Sequence, residues 1–147
     1  MQSDGLTDEE IREILTKYKR IAVVGASRDP VKPANYVPRF LMRQGYEIIP
    51  VNPFADEVLG QKAFKSLEEL QQPVDIVDVF RPSEAVYEVA LSALKVNPKV
   101  FWMQEGIYNK DAAELLRSKG VVVVWDRCMM KEHNRLFGTK PLIPLGK

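Results

Sequence analysis

The residues with the clearest chemical potential follow the first of several apolar segments. Residues 21–25 form a short apolar run that ends in glycine, and the turn after it leads toward a predicted helix. Such a turn offers backbone N–H groups and the positive end of a helix dipole to a phosphate. Arg28 and Lys32 lie in the same turn, where they favour a ligand with more negative charge than a simple diphosphate. The turn therefore predicts a local phosphate site, although both cations would also be ordinary in an exposed loop.

The dinucleotide-binding pattern G-x-G-x-x-G is incomplete in this turn. Ser27 and Pro30 occupy the positions of its second and third glycines. In such sites a carboxylate that binds a ribose hydroxyl is expected about 20 residues further on. Asn52 follows the second apolar run instead. Both differences count against an NAD site, and neither excludes another nucleotide.

The spacing of the other reactive side chains in the sequence does not pair them with a catalytic or metal-binding partner. Cys128 is the one cysteine and His133 the one histidine, which excludes an internal disulfide, a thiolate cluster and a multi-histidine metal site. The two could pair as a thiolate and a base, but nothing in the sequence orients them. Glu105 and Asp126 follow apolar runs, and no second group is spaced to share a proton transfer with Glu105. The sequence predicts no catalytic residue and no metal site.

The composition limits the class of protein. A length of 147 residues favours one domain over the whole chain, and 46% hydrophobic with 28% charged residues is typical of a globular protein. With 21 Lys and Arg against 20 Asp and Glu, the chain lacks the basic excess of a general nucleic-acid binder. Its longest apolar run is far shorter than the roughly 20 residues that span a bilayer, and its first residues do not resemble a signal peptide. We therefore expect a cytoplasmic protein that binds neither nucleic acid nor membranes.

Five short apolar runs must supply the sheet that positions these residues. The runs cover residues 21–25, 47–51, 74–80, 99–103 and 121–125. They do not alternate between apolar and polar residues, which is typical of parallel strands covered on both faces. Four helical patterns separate them, at residues 35–44, 66–70, 83–94 and 109–119. The prediction is an α/β fold, a Rossmann-like, doubly wound five-stranded parallel sheet with strand order 3-2-1-4-5.

The two ends of the chain differ in pattern. Thr7 and Glu10 form a capping box, and apolar residues continue at helical spacing to residue 19. We assign residues 1–20 to an N-terminal helix that lies against the domain. Residues 138–147, which include two prolines, are predicted to form an extended tail.

Two prolines fit the predicted elements less easily. Pro50 lies in the second predicted strand, where a central position would lose a hydrogen bond of the ladder. That strand should therefore stop pairing near Ile49. Pro38 lies in the first crossover helix and is tolerable there only in the first turn.

Seven segments, most of them at predicted strand ends, together resemble the small stand-alone CoA-binding domain proteins. The segments are Gly25-Ala26-Ser27, Pro30 with Lys32, Gly45-Tyr46, Pro50-Val51-Asn52-Pro53, Asp75-Ile76-Val77-Asp78-Val79-Phe80-Arg81-Pro82, Trp102-Met103-Gln104-Glu105-Gly106-Ile107 and Asp126-Arg127-Cys128. Those proteins are in turn similar to the N-terminal CoA-binding domain of the succinyl-CoA synthetase α subunit. The resemblance extends over residues 19–137 and implies that the ligand is coenzyme A or an acyl-CoA.

The resemblance also implies which residues contact the ligand. Its phosphates would be held by Gly25, Ala26, Ser27 and Arg28, with Lys32 as the cation that reaches them. The wall beside the adenine and ribose would consist of Val51, Asn52 and Pro53. The nucleotide and the start of the pantetheine arm would be lined by Phe80, Arg81 and Pro82. The arm would be bordered toward its thiol by Gln104, Gly106 and Ile107, where the synthetase carries a Thr-Glu-Gly-like turn.

The resemblance implies binding without catalysis. In the synthetase, a phosphorylated histidine belongs to a second domain, whereas only ten residues follow Phe137 here. We therefore expect His133 to be structural or exposed. Two alternatives stay open, an NAD(P)-linked oxidoreductase and a regulatory or subunit protein that has kept the fold without the ligand. Protein partners and oligomeric state are also open.

Overall fold

A parallel sheet lies at the centre of the protein in the computed structural model, which describes residues 2–140. In chain order the strands are β1 (Arg20–Val24), β2 (Glu47–Val51), β3 (Glu57–Val58), β4 (Gln61–Lys62), β5 (Ile76–Val79), β6 (Val100–Met103) and β7 (Val122–Val124). The sheet contains five of them in the order β2-β1-β5-β6-β7, and all of its pairs are parallel. The remaining two, β3 and β4, form a separate antiparallel pair.

Helices cover both faces of this sheet. They are α1 (Asp8–Lys17), α2 (Pro33–Arg43), α3 (Val86–Ala93), α4 (Lys110–Ser118) and α5 (Met129–Phe137). The buried residues of α1, α2 and α5 pack in one core cluster, and those of α3 and α4 pack in another on the opposite face. Because helices cover the central strands of the sheet on both faces, the residues of these strands are apolar without alternation. The predicted Rossmann-like α/β fold with an additional N-terminal helix is confirmed.

The strand order differs from the predicted 3-2-1-4-5. Counting only the strands of the five-stranded sheet, the order is 2-1-3-4-5, because β5 pairs with β1 rather than with β2. This leaves β2 at the sheet edge, where Pro50 is tolerated. The Pro50 carbonyl accepts a hydrogen bond from the Phe64 N–H on the outer side (3.0 Å), and pairing with β1 continues through Val51. The expected stop near Ile49 is therefore also wrong, since the missing N–H faces away from β1.

The ends of the helices confirm some predictions and correct others. Thr7 and Glu10 form the predicted capping box of α1. Helix α5 was not predicted, and its N-cap, Cys128, provides no side-chain cap. Gly138 ends α5 in a left-handed conformation with φ of 71°. Most of the predicted tail, residues 141–147, lies outside the described residues.

The segment before α1 is anchored to the far end of the sheet. The Asp4 carboxylate is almost fully buried and accepts two hydrogen bonds from the Arg127 guanidinium (2.8 and 2.9 Å). The Trp125 ring N–H donates to the Gln2 carbonyl (2.6 Å). Residues 2–7 are therefore fixed without being helical, which corrects the predicted start of the N-terminal helix.

Pro38 does not lie in the first turn of its helix. Since α2 begins at Pro33, Pro38 is the sixth residue of the helix, contrary to the expectation. An N–H at position 38 would donate to the Ala34 carbonyl. That carbonyl instead accepts the N–H of Ser27, from the loop before the helix (3.1 Å). The proline is thus compatible with the helix because its missing hydrogen bond is replaced from outside.

Candidate functional site

The chain reverses its direction across the sheet between β1 and β5. The connection after β1 leads through α2 to β2 at the edge, and the connection after β2 leads back past β1 to β5. Loops that leave two neighbouring parallel strands in opposite directions open a crevice at the carboxyl ends of those strands. Gly25 and Phe80 are the first residues after β1 and β5, so they stand at this crevice.

Gly25 brings the two loops into contact. Its φ is +87°, a left-handed conformation that favours glycine. A Cβ at this position would lie under 3.0 Å from the Phe80 carbonyl oxygen and 3.3 Å from the Arg81 side chain. The Gly25 N–H donates to the Val51 carbonyl (3.0 Å), which ties the end of β1 to the end of β2. The close approach of three strand ends therefore depends on the absence of a side chain here.

A cavity of about 430 Å³ opens beside this contact, on the α3 side of the sheet. It is within the size range of small-molecule sites. Six of the fourteen residues predicted to bind the ligand line it: Gly25, Val51, Asn52, Pro53, Phe80 and Arg81. The rest of the lining comes from Val24, Phe54, Lys65, Ser66, Leu67, Glu88, Val89 and Ser92. The structure thus brings together these six residues at the ends of β1, β2 and β5. The other predicted residues do not line this cavity: Ala26, Ser27, Arg28, Lys32, Pro82, Gln104, Gly106 and Ile107.

The loop after β1 is held mainly by Ser27. Its N–H donates to the Ala34 carbonyl, its carbonyl accepts from the Asn35 side-chain amide (2.7 Å), and its hydroxyl accepts from the Asp29 N–H (3.0 Å). Ser27 is therefore occupied within its own loop. The Arg28 N–H makes no hydrogen bond with any residue between 2 and 140, so it is one amide of this loop that is open to an anion.

Three cationic side chains surround this loop. Arg28, Lys32 and Arg81 are all exposed, and none makes a hydrogen bond or ion pair from its side chain within the described part of the chain. Lys32 is also the N-cap residue of α2, so it stands at the positive end of the helix dipole. The net charge of the whole chain is +1, and three of its unpaired cations are concentrated at this edge of the sheet.

Asn52 connects the first loop with a residue that the sequence did not single out. Its side-chain N–H donates to the Ala26 carbonyl (2.9 Å), and its oxygen accepts the Phe54 N–H (2.7 Å). Phe54 lines the mouth of the cavity, and 90% of it is exposed. Its exposure could not be read from the sequence, where a phenylalanine after an apolar strand is more often part of the core.

Gln104 turns into the core rather than toward the cavity. It is 3% exposed, and its side-chain N–H donates to the Asp78 carboxylate. Complete burial raises the pKa of Asp78 to about 7, and the bond from Gln104 opposes that rise. The second carboxylate oxygen of Asp78 has no partner among residues 2–140. Next to Gln104, the Gly106 N–H donates to Asp126 (2.7 Å), and Ile107 is half-buried.

Cys128 and His133 do not form a reactive pair. Burial raises the pKa of the Cys128 thiol, so the thiolate is disfavoured. His133 packs between the rings of Phe40 and Phe137, with centroids 5.5 and 4.8 Å away, and its Nδ1 contacts Thr139 (2.8 Å). Burial lowers the pKa of His133. No hydrogen bond joins the two side chains in the region that the structure describes.

A second cavity, of about 470 Å³, lies at the ends of β6 and β7. Its charged lining is largely paired: Lys131 binds Glu105 (2.9 Å), and Arg127 binds Asp4 and Glu132. Within residues 2–140 no three His, Cys, Asp or Glu side chains are grouped to hold a metal ion. No helix in this part of the chain is long and apolar enough to cross a membrane.

A doubly wound parallel sheet with a glycine turn and a cavity at its switch point defines a Rossmann-like α/β protein with a ligand cleft at the sheet edge. Residues 19–134 match the CoA binding domain family. The chain therefore belongs to that family.

Known proteins are similar to this chain over different fractions of their own length. The uncharacterized protein YneT of Bacillus subtilis is 48% identical over 124 residues, which are 84% of this chain and 92% of YneT. The solved structure of a hypothetical protein from Pyrococcus horikoshii matches with a TM-score of 0.90 and 44% identity, over 94% of this chain and 98% of that one. The α subunit of acetate–CoA ligase (ADP-forming) II from Pyrococcus furiosus is 39% identical over 72 residues, which are 48% of this chain but 16% of that subunit. This chain is thus similar to a small part of a ligase subunit.

Proposed function

We propose that this protein binds coenzyme A or an acyl-CoA at the cleft between the ends of β1, β2 and β5, and that it does so without catalysing a reaction. The observation that carries the proposal is the cavity at the switch point, lined by residues from all three strand ends. Membership of the CoA binding domain family supports the choice of ligand.

Residues of the cleft and of the loop after β1 fit the charged and the aromatic parts of such a ligand. The open Arg28 amide and the unpaired side chains of Arg28 and Lys32 suit its phosphates. The wall formed by Val51 and Pro53, with Phe54 at the mouth, suits the purine and ribose. The pantetheine arm then runs past Arg81 and Pro82 toward Gly106 and Ile107. Because Gln104 is bonded to Asp78, we assign its contribution to the positioning of that edge rather than to ligand contact.

The side chains nearest the proposed position of the thiol are not arranged for catalysis. Cys128 has a raised thiol pKa, and Glu105 is held in an exposed ion pair with Lys131. His133 is enclosed among aromatic rings. An acyl transfer needs a nucleophile and a base within hydrogen-bond reach of each other, and these three side chains do not meet that requirement.

Isothermal titration of the purified protein with CoA and, separately, with NADH tests the proposal. We expect heat of binding with CoA and none with NADH. Heat from NADH alone would instead support an NAD(P)-linked oxidoreductase, although Asn52 stands where a ribose-binding acid is expected. Heat from neither ligand would favour a regulatory protein that has kept the fold.

Lys32→Ala should weaken CoA binding by about 1.5–3 kcal/mol, the scale of a hydrogen bond to a charged group. The side chain is exposed and unpaired, so thermal stability should hardly change. The measurement is calorimetric titration of the variant beside Lys119→Ala, which removes an exposed lysine following α4, away from the cleft. Equal affinity in the wild type and the Lys32 variant would remove Lys32 from the site.

Phe54→Ala should weaken CoA binding by about 1–3 kcal/mol, the range for stacking of a base on an aromatic ring. The loss should be absent for 4′-phosphopantetheine, which shares the arm and one phosphate but has no purine. Since Phe54 is 90% exposed, the variant should fold normally. A matched loss for both ligands would show that Phe54 acts on the loop rather than on the base.

A further inference from the structure

The interior of α2 contains a proline whose effect lies outside the helix. Residue 38 of an uninterrupted helix would donate its N–H to the carbonyl of residue 34. Pro38 has no N–H, and its ring pushes that carbonyl away from the helix axis. The Ala34 carbonyl is therefore available to a donor from elsewhere in the chain.

Ser27 supplies that donor, and α2 makes hydrogen bonds with both the N–H and the carbonyl of Ser27. The Ser27 N–H donates to the Ala34 carbonyl at 3.1 Å. The Ser27 carbonyl accepts from the side-chain amide of Asn35, at 2.7 Å, and Asn35 is itself 5% exposed. Two adjacent residues in the first turn of α2 thus clamp one residue of the loop that follows β1.

We propose that Pro38 is a positioning residue for this loop. By removing the competing helical donor, it reserves the Ala34 carbonyl for Ser27. The clamp fixes Ser27 so that the next amide, that of Arg28, remains outside the loop's own hydrogen bonds. The consequence for a ligand rests on the proposed function, in which this amide receives a phosphate of CoA.

The clamp also gives a role to a proline in the interior of a helix of eleven residues. Proline in a helix interior is unfavourable for the helix itself. A donor at position 38 would draw the Ala34 carbonyl back toward the axis, and the loop would lose its attachment. Replacement of Pro38 should therefore weaken ligand binding without lowering the stability of the protein. A residue with a merely structural role would not separate the two effects in this way.

Pro38→Ala tests the clamp, with Pro33→Ala as its matched control. Pro33 is the first residue of the same helix, where an N–H has no partner within the helix. The N–H that alanine adds at this position therefore competes for no carbonyl of α2. Amide hydrogen exchange followed by NMR gives a readout that requires no ligand. We expect the Ser27 amide to exchange faster in Pro38→Ala and at the wild-type rate in Pro33→Ala.

Calorimetry with CoA gives the second readout. Pro38→Ala should bind about three- to tenfold more weakly, the effect of one hydrogen bond in the loop, with a melting temperature no lower than that of the wild type. Unchanged exchange at Ser27 would overturn the proposal, and so would faster exchange with unchanged affinity. If the wild type itself does not bind CoA, the proposed function fails, and the exchange rates alone decide whether Pro38 positions the loop.

Discussion

Gly25→Ala is expected to destabilise the protein by about 2–6 kcal/mol, the sum of left-handed strain in a residue with a side chain and of overpacking. The new methyl group would press on the Phe80 carbonyl, a backbone atom that cannot move without β5. Chemical denaturation gives the loss of stability. CoA affinity of the fraction that still folds should fall as well, because the ends of β1 and β5 are forced apart.

Gly120→Ala is the matched control for the steric part of this effect. Gly120 has φ of +83°, close to that of Gly25, but a Cβ there would meet no atom within 4 Å. Its replacement should therefore cost only the conformational strain, about 1–2 kcal/mol. If the two variants lose the same stability, the contact with Phe80 does not limit the approach of the two strand ends.

Asp78→Asn is expected to change how stability depends on pH. Burial raises the pKa of Asp78 from 3.8 to about 7, so between these values the unfolded chain has lost a proton that the folded protein keeps. Wild-type stability should therefore be highest, as far as this group is concerned, below about pH 4 and should fall as the pH rises to 7. Asparagine does not titrate and can still accept the bond from Gln104. Relative to the wild type, the variant should gain up to about 4 kcal/mol across this range.

Urea unfolding at pH 4, 5.5, 7 and 8 measures this difference. The gain should be complete by pH 8, because Asp78 is ionised in both states above its folded pKa. At pH 4 the two proteins should differ only by the cost of one buried amide N–H without a partner, about 1–3 kcal/mol in favour of the wild type. A difference in stability that is the same at every pH would mean that Asp78 is ionised in the folded protein throughout.

The layers of the fold could be predicted from the apolar pattern of the sequence, whereas that pattern does not give the order of the strands. A strand covered on both faces has the same apolar composition at either of two neighbouring places in a sheet. Pro50 contained the missing information, because an interior β2 would lose a hydrogen bond that an edge strand does not need. The prediction that pairing ends near Ile49 was wrong, because the proline marks β2 as an edge strand that pairs with β1 through Val51.

The candidate site could be predicted in part. The ends of the strands can be recognised from the local sequence, whereas the directions of the side chains depend on the folded structure. Gly25, Asn52 and Phe80 follow directly from the ends of the apolar runs. The resemblance to the CoA-binding proteins implies that Gln104 borders the ligand, yet it is the second residue after Trp102 and therefore points to the same face, into the core. Phe54 was missed because exposure depends on the path of the loop and not on residue type.

The buried contact between Asp4 and Arg127 joins two residues that are 123 positions apart. Synthesis releases the N-terminal part of a chain first, but here the first residues are fixed by a side chain that follows the last strand. We therefore expect residues 2–7 to remain unattached during synthesis until Arg127 has emerged from the ribosome. The contact fastens residues 2–7 only after the five strands of the sheet, which lie between Asp4 and Arg127 in the chain, have been synthesised.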